Sequence, residues 1–163
     1  MPTIGNTLAN KVVALLSAPP GISNLVANLA HADGVSPLPT VGTITTSYAP
    51  IEFLEKSLNV SYPAVYVHCG KLSNQLKEKF RSFSGKAQVS VDVRHAQDRL
   101  DGLEMALQAY AEAVCQTLDQ NRGDWGNGAY YGGGYEATFY PVRHGGRNFL
   151  QSAAITFDVD VSI

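Results

Sequence analysis

The chain has 163 residues, of which 45% are hydrophobic and only 16% are charged, and its net charge is −2. This length and composition predict a single domain spanning 1–163 with a sizeable core, and they exclude wholesale disorder. A general nucleic-acid-binding protein would show a strongly basic surface, which this chain lacks. No apolar run approaches the ~20 residues that span a bilayer and no secretory signal pattern opens the chain, so we expect no membrane contact.

The first half of the chain predicts two helices followed by an irregular region. Thr3 is a candidate N-cap for a first amphipathic helix, which ends before the Pro19-Pro20 pair. A weaker helical pattern runs from Ile22 to Ala30. Segment 31–58 contains several Gly and Pro residues and predicts a long irregular connection, with room for one short strand between Val41 and Tyr48.

Two strands are predicted in the middle of the chain, separated by a polar connection. Val60–Cys69 is rich in β-formers, and Lys86–Ala96 alternates strictly between apolar and polar residues. The segment between them, 70–85, is polar and predicts a flexible loop.

The second half predicts one long helix and a C-terminal hairpin. The helix runs from about Arg99 to Asn121 and is capped by Asp98 or Asp101. A glycine-aromatic loop, 123–134, precedes a strand over 135–142 and a strictly alternating last strand over 149–163. The apolar line of the helix is Leu100, Leu103, Leu107, Tyr110, Val114 and Leu118. The predicted core residues are Leu103, Leu107, Val114, Val89, Val91, Ile155, Phe157 and Val159.

The order of these elements predicts an α+β domain of two layers. One layer is an antiparallel sheet of about four strands, and the long helix and the N-terminal helix cover one of its faces.

The patterns that carry catalytic chemistry are weak, and we expect neither enzyme activity nor a cofactor. The glycine loop does not have the spacing of a phosphate-binding loop, and the four histidines lack zinc-ligand spacing. Cys69 and Cys115 are expected to be buried free thiols, and His68 cannot pair with its neighbour Cys69 on a strand. One alternative is a small metal-dependent hydrolase whose carboxylates and imidazole share the polar sheet face: Asp92, Asp158, Asp160 and His95.

Two groups of residues are candidates for contact with a partner. The first is the set of cations in the polar connection, for which a solvated loop, a protein contact and a nucleic-acid contact all remain open: Lys71, Lys77, Lys79 and Arg81. The second is the set of aromatic residues in the glycine loop, which either fold onto the domain or meet a neighbouring molecule: Trp125, Tyr130 and Tyr131.

Four segments together resemble the tail terminator proteins of long-tailed bacteriophages, also called tail-completion or tail-to-head joining proteins. They are YPAVYVHCG, GKAQVSVDVRHA, RLDGLEMALQAYAEAVCQTL and the final SAAITFDVDVSI. The resemblance is one of element order and pattern, and it covers the chain from Asn59 onward and more loosely the first helix. Segment 31–58 and the glycine loop have no counterpart in it.

The resemblance implies a structural virion protein that works by assembly. Such proteins form a ring, commonly a hexamer, that caps the tail tube, ends its polymerisation and joins it to the head. The implied partners are further copies of the chain, the tail tube protein and a head-completion or connector protein, with DNA passing through the ring. The implied location is the virion tail, after assembly in the host cytoplasm. By the same resemblance, Lys71, Lys77, Lys79 and Arg81 would contact the tube.

Physical considerations are compatible with this expectation. A tail tube is an open heterologous polymer, so a cap needs one complementary face and one face that does not propagate. A surface poor in charge suits subunit contacts, because few ions must lose their water there. The alternatives are a head-closure or adaptor protein of the neck, the metal-dependent hydrolase, and an intracellular binding module that forms no ring.

Overall fold

A computed structural model describes residues 3–19, 21–32, 38–46, 62–145 and 148–163. Over these ranges the chain forms three helices and a curled mixed sheet of eight strands, which confirms the α+β class. The helices are α1 (Ile4–Ser17), α2 (Gly21–Ala32) and α3 (Leu103–Gln120). The strands are β1 (Thr43–Thr45), β2 (Ala64–Asn74), β3 (Ser84–Gln97), β4 (Gly123–Gly126), β5 (Ala129–Tyr131), β6 (Glu136–Phe139), β7 (Arg143–Gly145) and β8 (Asn148–Ser162).

The sheet is built around β8, the longest strand. β3 pairs with it from Ser84–Ser162 to Gln97–Phe149, and β5, β6 and β7 pair with successive parts of its other edge. In the described part of the chain the order is β1-β2-β3-β8-β5-β4, and β1 runs parallel to β2. The prediction of about four strands was therefore wrong in number. The pairing is antiparallel as predicted, except between β1 and β2. The added strands have only three or four residues, too few to show a period along the sequence.

The two strands predicted in the middle of the chain form as β2 and β3, but their first and last residues differ from the prediction. β2 continues to Asn74 and β3 starts at Ser84, so the connection predicted over 70–85 is shortened to 75–83. Most of the predicted irregular segment 31–58 lies outside the described residues, as do the first two residues of the strand predicted over 60–69.

The N-terminal helix forms as the sequence predicts. The Thr3 hydroxyl accepts a hydrogen bond from the Asn6 amide at 3.4 Å, which caps the first turn. The buried face of α1 consists of Leu8, Ala9, Val12 and Leu16, and α2 adds Ile22 and Val26 to the same core. No single helix among the described residues is long and apolar enough to cross a membrane. α1 and part of α2 pass that test only as a pair bent by 53°.

The start of α3 differs from the prediction. Gly102, in the left-handed region at φ 81°, occupies the N-cap, and no side chain caps the helix, so Asp98 and Asp101 do not have that role. The side-chain amide of Gln97 donates hydrogen bonds to the backbone carbonyls of Arg99 and Asp101, both at 2.7 Å. These bonds hold the connection between β3 and α3 in a turn. Leu100 therefore precedes the helix and is exposed, although its spacing placed it on the apolar face.

The core lies between the three helices and the face of the sheet formed by the odd-numbered residues of β3 and β8. All eight residues predicted as core are buried. Ala106, Ala111 and Ala113 are buried on α3, where small side chains let the helix approach the sheet closely. Periodicity alone was enough to find this interface, because every turn of α3 and every second residue of both strands contribute to it.

Candidate partner-contact surfaces

The end of the β2–β3 hairpin is an ordered loop held by two polar side chains. The Asn74 carboxamide accepts hydrogen bonds from the amides of Leu76 (3.2 Å) and Ser84 (3.0 Å), and it donates one to the Ser82 carbonyl (3.2 Å). Glu78 accepts a 2.8 Å hydrogen bond from the Ser162 hydroxyl at the end of β8. These contacts fix the loop to the sheet and define how residues 75–83 project from it.

This loop exposes two large apolar side chains that the sequence analysis did not single out. Phe80 is fully exposed, and two-thirds of Leu76 is accessible to solvent. Both residues have positive φ, 71° for Phe80 and 49° for Leu76, which is uncommon for residues other than glycine. Aromatic side chains are enriched at protein interfaces, so Phe80 is a candidate for contact with a partner.

The cations singled out in the sequence lie on the same projecting hairpin. Lys71 is exposed on β2 next to a bulge, whereas Lys77, Lys79 and Arg81 are exposed in the 75–83 loop. Arg81 Nε lies 3.6 Å from Glu78 Oε2, and both side chains are about half accessible. An exposed pair of this kind contributes at most about 1 kcal/mol, so Arg81 can exchange Glu78 for a partner group at small cost.

The aromatic residues of the glycine loop separate into two environments. Trp125 and Tyr131 are buried and form a cluster with Phe157, with ring centroids 5.2–6.2 Å apart. The Trp125 indole donates a 2.7 Å hydrogen bond to the Asn121 carbonyl. Only Tyr130, at 54% exposure, is open to a partner among these three. Of the interface candidates, Tyr131 therefore belongs to the core, and Trp125 exposes only 9% of its surface.

The segment predicted as an irregular loop folds as the β4–β5 hairpin on the edge of β8. Asn127 and Gly128 form its tip with φ of 54° and 78°. An Asn-Gly pair with two positive φ values is the preferred two-residue hairpin turn, so the sequence did carry a signal for this hairpin. The Gly128 carbonyl accepts a 2.9 Å hydrogen bond from the Ser162 amide, which joins the hairpin to the end of β8.

An apolar groove of about 1030 Å³ lies between α1 and this hairpin. We call it the α1 groove. Its apolar lining comes from α1, the hairpin and the end of β8: Ile4, Leu8, Trp125, Ala129, Val161 and Ile163. Lys11 and Arg81 line it as well, and no acidic side chain does so among the described residues. The groove was not predicted, because it forms only where three distant parts of the chain meet.

The residues of the hydrolase alternative do not come together. Asp92 is opposite Ala154 and Asp158 is opposite Gln88, which separates the two carboxylates by four residues, or about 13 Å, along β8. Lys86 Nζ lies 3.8 Å from Asp158 Oδ2. His95 is on the opposite face, where its ring centroid is 5.4 Å from that of Tyr110. Within the described ranges no three His, Cys, Asp or Glu residues are placed to hold a metal ion.

Asp92 instead belongs to a partly buried ionic cluster on the polar face of the sheet. Arg94, whose side chain is 1% exposed, approaches Asp92 at 3.7 Å and lies 4.7 Å from the centroid of the Tyr66 ring. Burial raises the pKa of Asp92, and the charges of His68 and Arg94 and a hydrogen bond from Ser90 oppose this shift. The Ser90 hydroxyl donates that bond to Asp92 at 3.4 Å. The Ser90 hydroxyl thus donates to a carboxylate, whereas the nucleophilic serine of a Ser-His-Asp triad donates to the imidazole.

The two thiols also differ from each other. Cys115 is buried, and burial raises its pKa to about 11. Cys69 is only partly buried, contrary to expectation, and its thiol donates a 3.6 Å hydrogen bond to the Lys71 carbonyl. Burial also raises the pKa of Cys69. Neither thiol has the lowered pKa of a cysteine nucleophile.

We expect the free energy of unfolding to fall as the pH is lowered from about 7.5 to 5.5. Burial lowers the pKa of His95, although a side-chain hydrogen bond with Gln97 opposes the shift. The folded protein therefore binds the proton less readily than the unfolded chain, whose histidine pKa is near 6.5. This contribution to stability is complete above that pKa and decreases below it, by at most about 1.4 kcal/mol per pH unit.

Urea unfolding of the wild type and of His95→Gln over this pH range checks the expectation. The variant should have the shallower dependence on pH. Equal slopes for the two proteins would show that His95 titrates alike in the folded and unfolded states.

No protein-family model matches this sequence, and no curated protein is significantly similar to it.

Proposed function

We propose that this chain is a tail terminator protein of a long-tailed bacteriophage. It forms a ring, of six copies by the family resemblance, that caps the tail tube, ends its growth and provides the joint to the head. Its action is assembly through complementary surfaces, without catalysis, metal or cofactor. The β2–β3 hairpin makes the contact with the tube protein, and a connector protein binds the other side.

The observation that carries this proposal is the shape and chemistry of that hairpin. Its loop projects from the sheet, is fixed at its base by Asn74, and presents Phe80 and Leu76 among three cations. An exposed aromatic side chain surrounded by polar groups has the composition of an interface hot spot with its rim. A growing tube end is closed when such a contact occupies it without offering an equivalent site for the next subunit.

The first test is the assembly state of the purified protein. Native mass measurement at micromolar concentration should give a closed oligomer, and negative-stain electron microscopy should show annular particles. A monomer under these conditions, also in the presence of purified tail tubes, would overturn the ring. Rings that bind the DNA-filled portal but not headless tails would favour the neck adaptor alternative instead.

Phe80→Ser should reduce tube capping without reducing stability. The side chain is fully exposed, so its loss should change the free energy of unfolding by no more than about 0.5 kcal/mol. If it is the anchor of the tube contact, the concentration that halts tube growth should rise at least about tenfold. Tube length measured by electron microscopy against protein concentration gives this value.

Phe139→Ser is the matched control, because Phe139 is an exposed phenylalanine on β6, outside the hairpin. It should cap tubes like the wild type. Equal capping by Phe80→Ser and the wild type would remove the hairpin from the tube contact.

A further inference from the structure

The start of α3 presents an apolar and acidic knob at the surface. Leu100 is 57% exposed and Met105 is 56% exposed. They are flanked by the exposed carboxylates of Asp98, Asp101 and Glu104, with Arg99 as the one cation in this stretch. We call residues 98–105 the α3 knob. Its two apolar side chains have no counterpart on the rest of the helix, whose other large apolar residues are buried.

The α1 groove is complementary to this knob in polarity and in charge. Its lining is mostly apolar, and its charged residues are Lys11 and Arg81. Arg81 is paired with Glu78 at 3.6 Å, so Lys11 supplies the positive charge of the groove. The knob combines apolar side chains with a net negative charge. Complementary potentials of this kind favour one pairing of surfaces, because like charges in the wrong pairing cost several kcal/mol.

The two surfaces lie at opposite ends of the molecule. The groove includes Val161 and Ile163 at the end of β8, whereas the knob follows the end of β3, which pairs with Phe149 at the start of β8. Trp125 of the groove donates a hydrogen bond to the Asn121 carbonyl at the end of α3, and Asn121 follows Met105 by 16 residues, or about 24 Å along the helix axis. A knob cannot reach the groove of its own chain over this distance, so its complement must be on another copy. A contact between two different surfaces of identical chains is heterologous, and it closes into a ring when the rotation between copies allows.

We infer that the α1 groove receives the α3 knob of a second copy of this chain. Leu100 and Met105 enter the apolar groove, and Glu104 of one copy lies near Lys11 of the next. This contact deepens the proposed function, since it names the joint between neighbouring subunits of the ring, and its role in a closed ring rests on that function. Arg81 is the one residue of the hairpin loop that lines the groove, and Phe80 and Leu76 of this loop face the tube.

A charge exchange tests this contact directly. Lys11→Glu and Glu104→Lys should each raise the concentration of half-assembly, measured by analytical ultracentrifugation, at least about tenfold. The variant that carries both substitutions should regain most of the loss, because every contact again joins opposite charges. An equimolar mixture of the two single variants should form contacts between unlike chains only. Arg122→Glu, a reversal on an exposed cation outside both surfaces, is the control and should assemble like the wild type.

Met105→Ser tests the apolar part in the same assay. It should also raise the half-assembly concentration, with unfolding of the isolated chain unchanged because the side chain is largely exposed. Assembly unaffected by all three single substitutions would overturn the contact.

The assay separates this inference from the proposed function. A dimer that depends on Lys11 and Glu104 would keep the contact and overturn the ring. A ring that caps tubes but ignores the charge reversals would keep the proposed function and overturn the contact.

Discussion

Replacing Leu107 with alanine should lower the free energy of unfolding by about 2–5 kcal/mol. The side chain is completely buried on the face of α3 that packs against β3, β8 and α2. Alanine would remove three carbon atoms from a region enclosed by both the sheet and a second helix. Because the surroundings cannot fully collapse into the space, the loss includes a cavity term in addition to the lost transfer free energy.

Gln108→Ala provides the control for this prediction. Gln108 is the next residue on the same helix and is exposed. Its replacement should change stability by no more than about 0.5 kcal/mol. Urea unfolding of both variants should be compared at one protein concentration, because assembly would add to the apparent stability. A loss below 1 kcal/mol for Leu107→Ala would mean that the buried face of α3 is assigned incorrectly.

The part of the fold that the sequence predicts is the part where burial repeats along an element. Val89 and Val91 alternate with polar residues on β3, and Leu103, Leu107 and Val114 recur at helical spacing on α3, and all five are buried. The repeat arises because one continuous interface covers each element from end to end.

Short elements and tertiary joints escape this kind of prediction. β1, β5 and β7 have three residues each, and their positions depend on pairing with β2 and β8. Leu100 fits the helical spacing and yet lies outside the helix, because the side chain of Gln97 holds the preceding turn. Local spacing contains no information about such a contact.

The candidate surfaces show the same division. The exposure of the hairpin cations could be predicted from the sequence. Charged side chains in a polar connection are exposed whether they lie in the loop or at the end of a flanking strand. The exposure of Phe80 could not, because an isolated apolar residue in a loop is as compatible with burial against the domain. Trp125 and Tyr131 show the opposite outcome to Phe80. They too are aromatic residues in a segment predicted as a loop, but contact with Phe157 buries them.

Gly85→Ala should be the most disruptive of the conservative substitutions in the hairpin, with a loss of roughly 1–3 kcal/mol in the free energy of unfolding. Gly85 is on β3 opposite Asn74, and its backbone has no positive φ, so conformational strain is not the reason. A Cβ at this position would overlap the carbonyl oxygen of Ser73 and would come within 2.9 Å of the Gln75 amide nitrogen. Both are main-chain atoms, so the strands must separate to relieve the overlap.

Gly70→Ala is the matched control, because Gly70 is on the facing strand of the same hairpin and a Cβ there meets nothing within 4 Å. It should leave stability unchanged or raise it by about 0.4–1 kcal/mol, since alanine restricts the unfolded chain more than glycine does. Separation of the strands at Gly85 would also displace Asn74, whose hydrogen bonds fix the loop that carries Phe80. Gly85→Ala should therefore weaken tube capping as well as stability, whereas Gly70→Ala should affect neither adversely. Equal stability of the two variants would contradict this prediction, because it would show that the strands at the hairpin base separate at little cost in free energy.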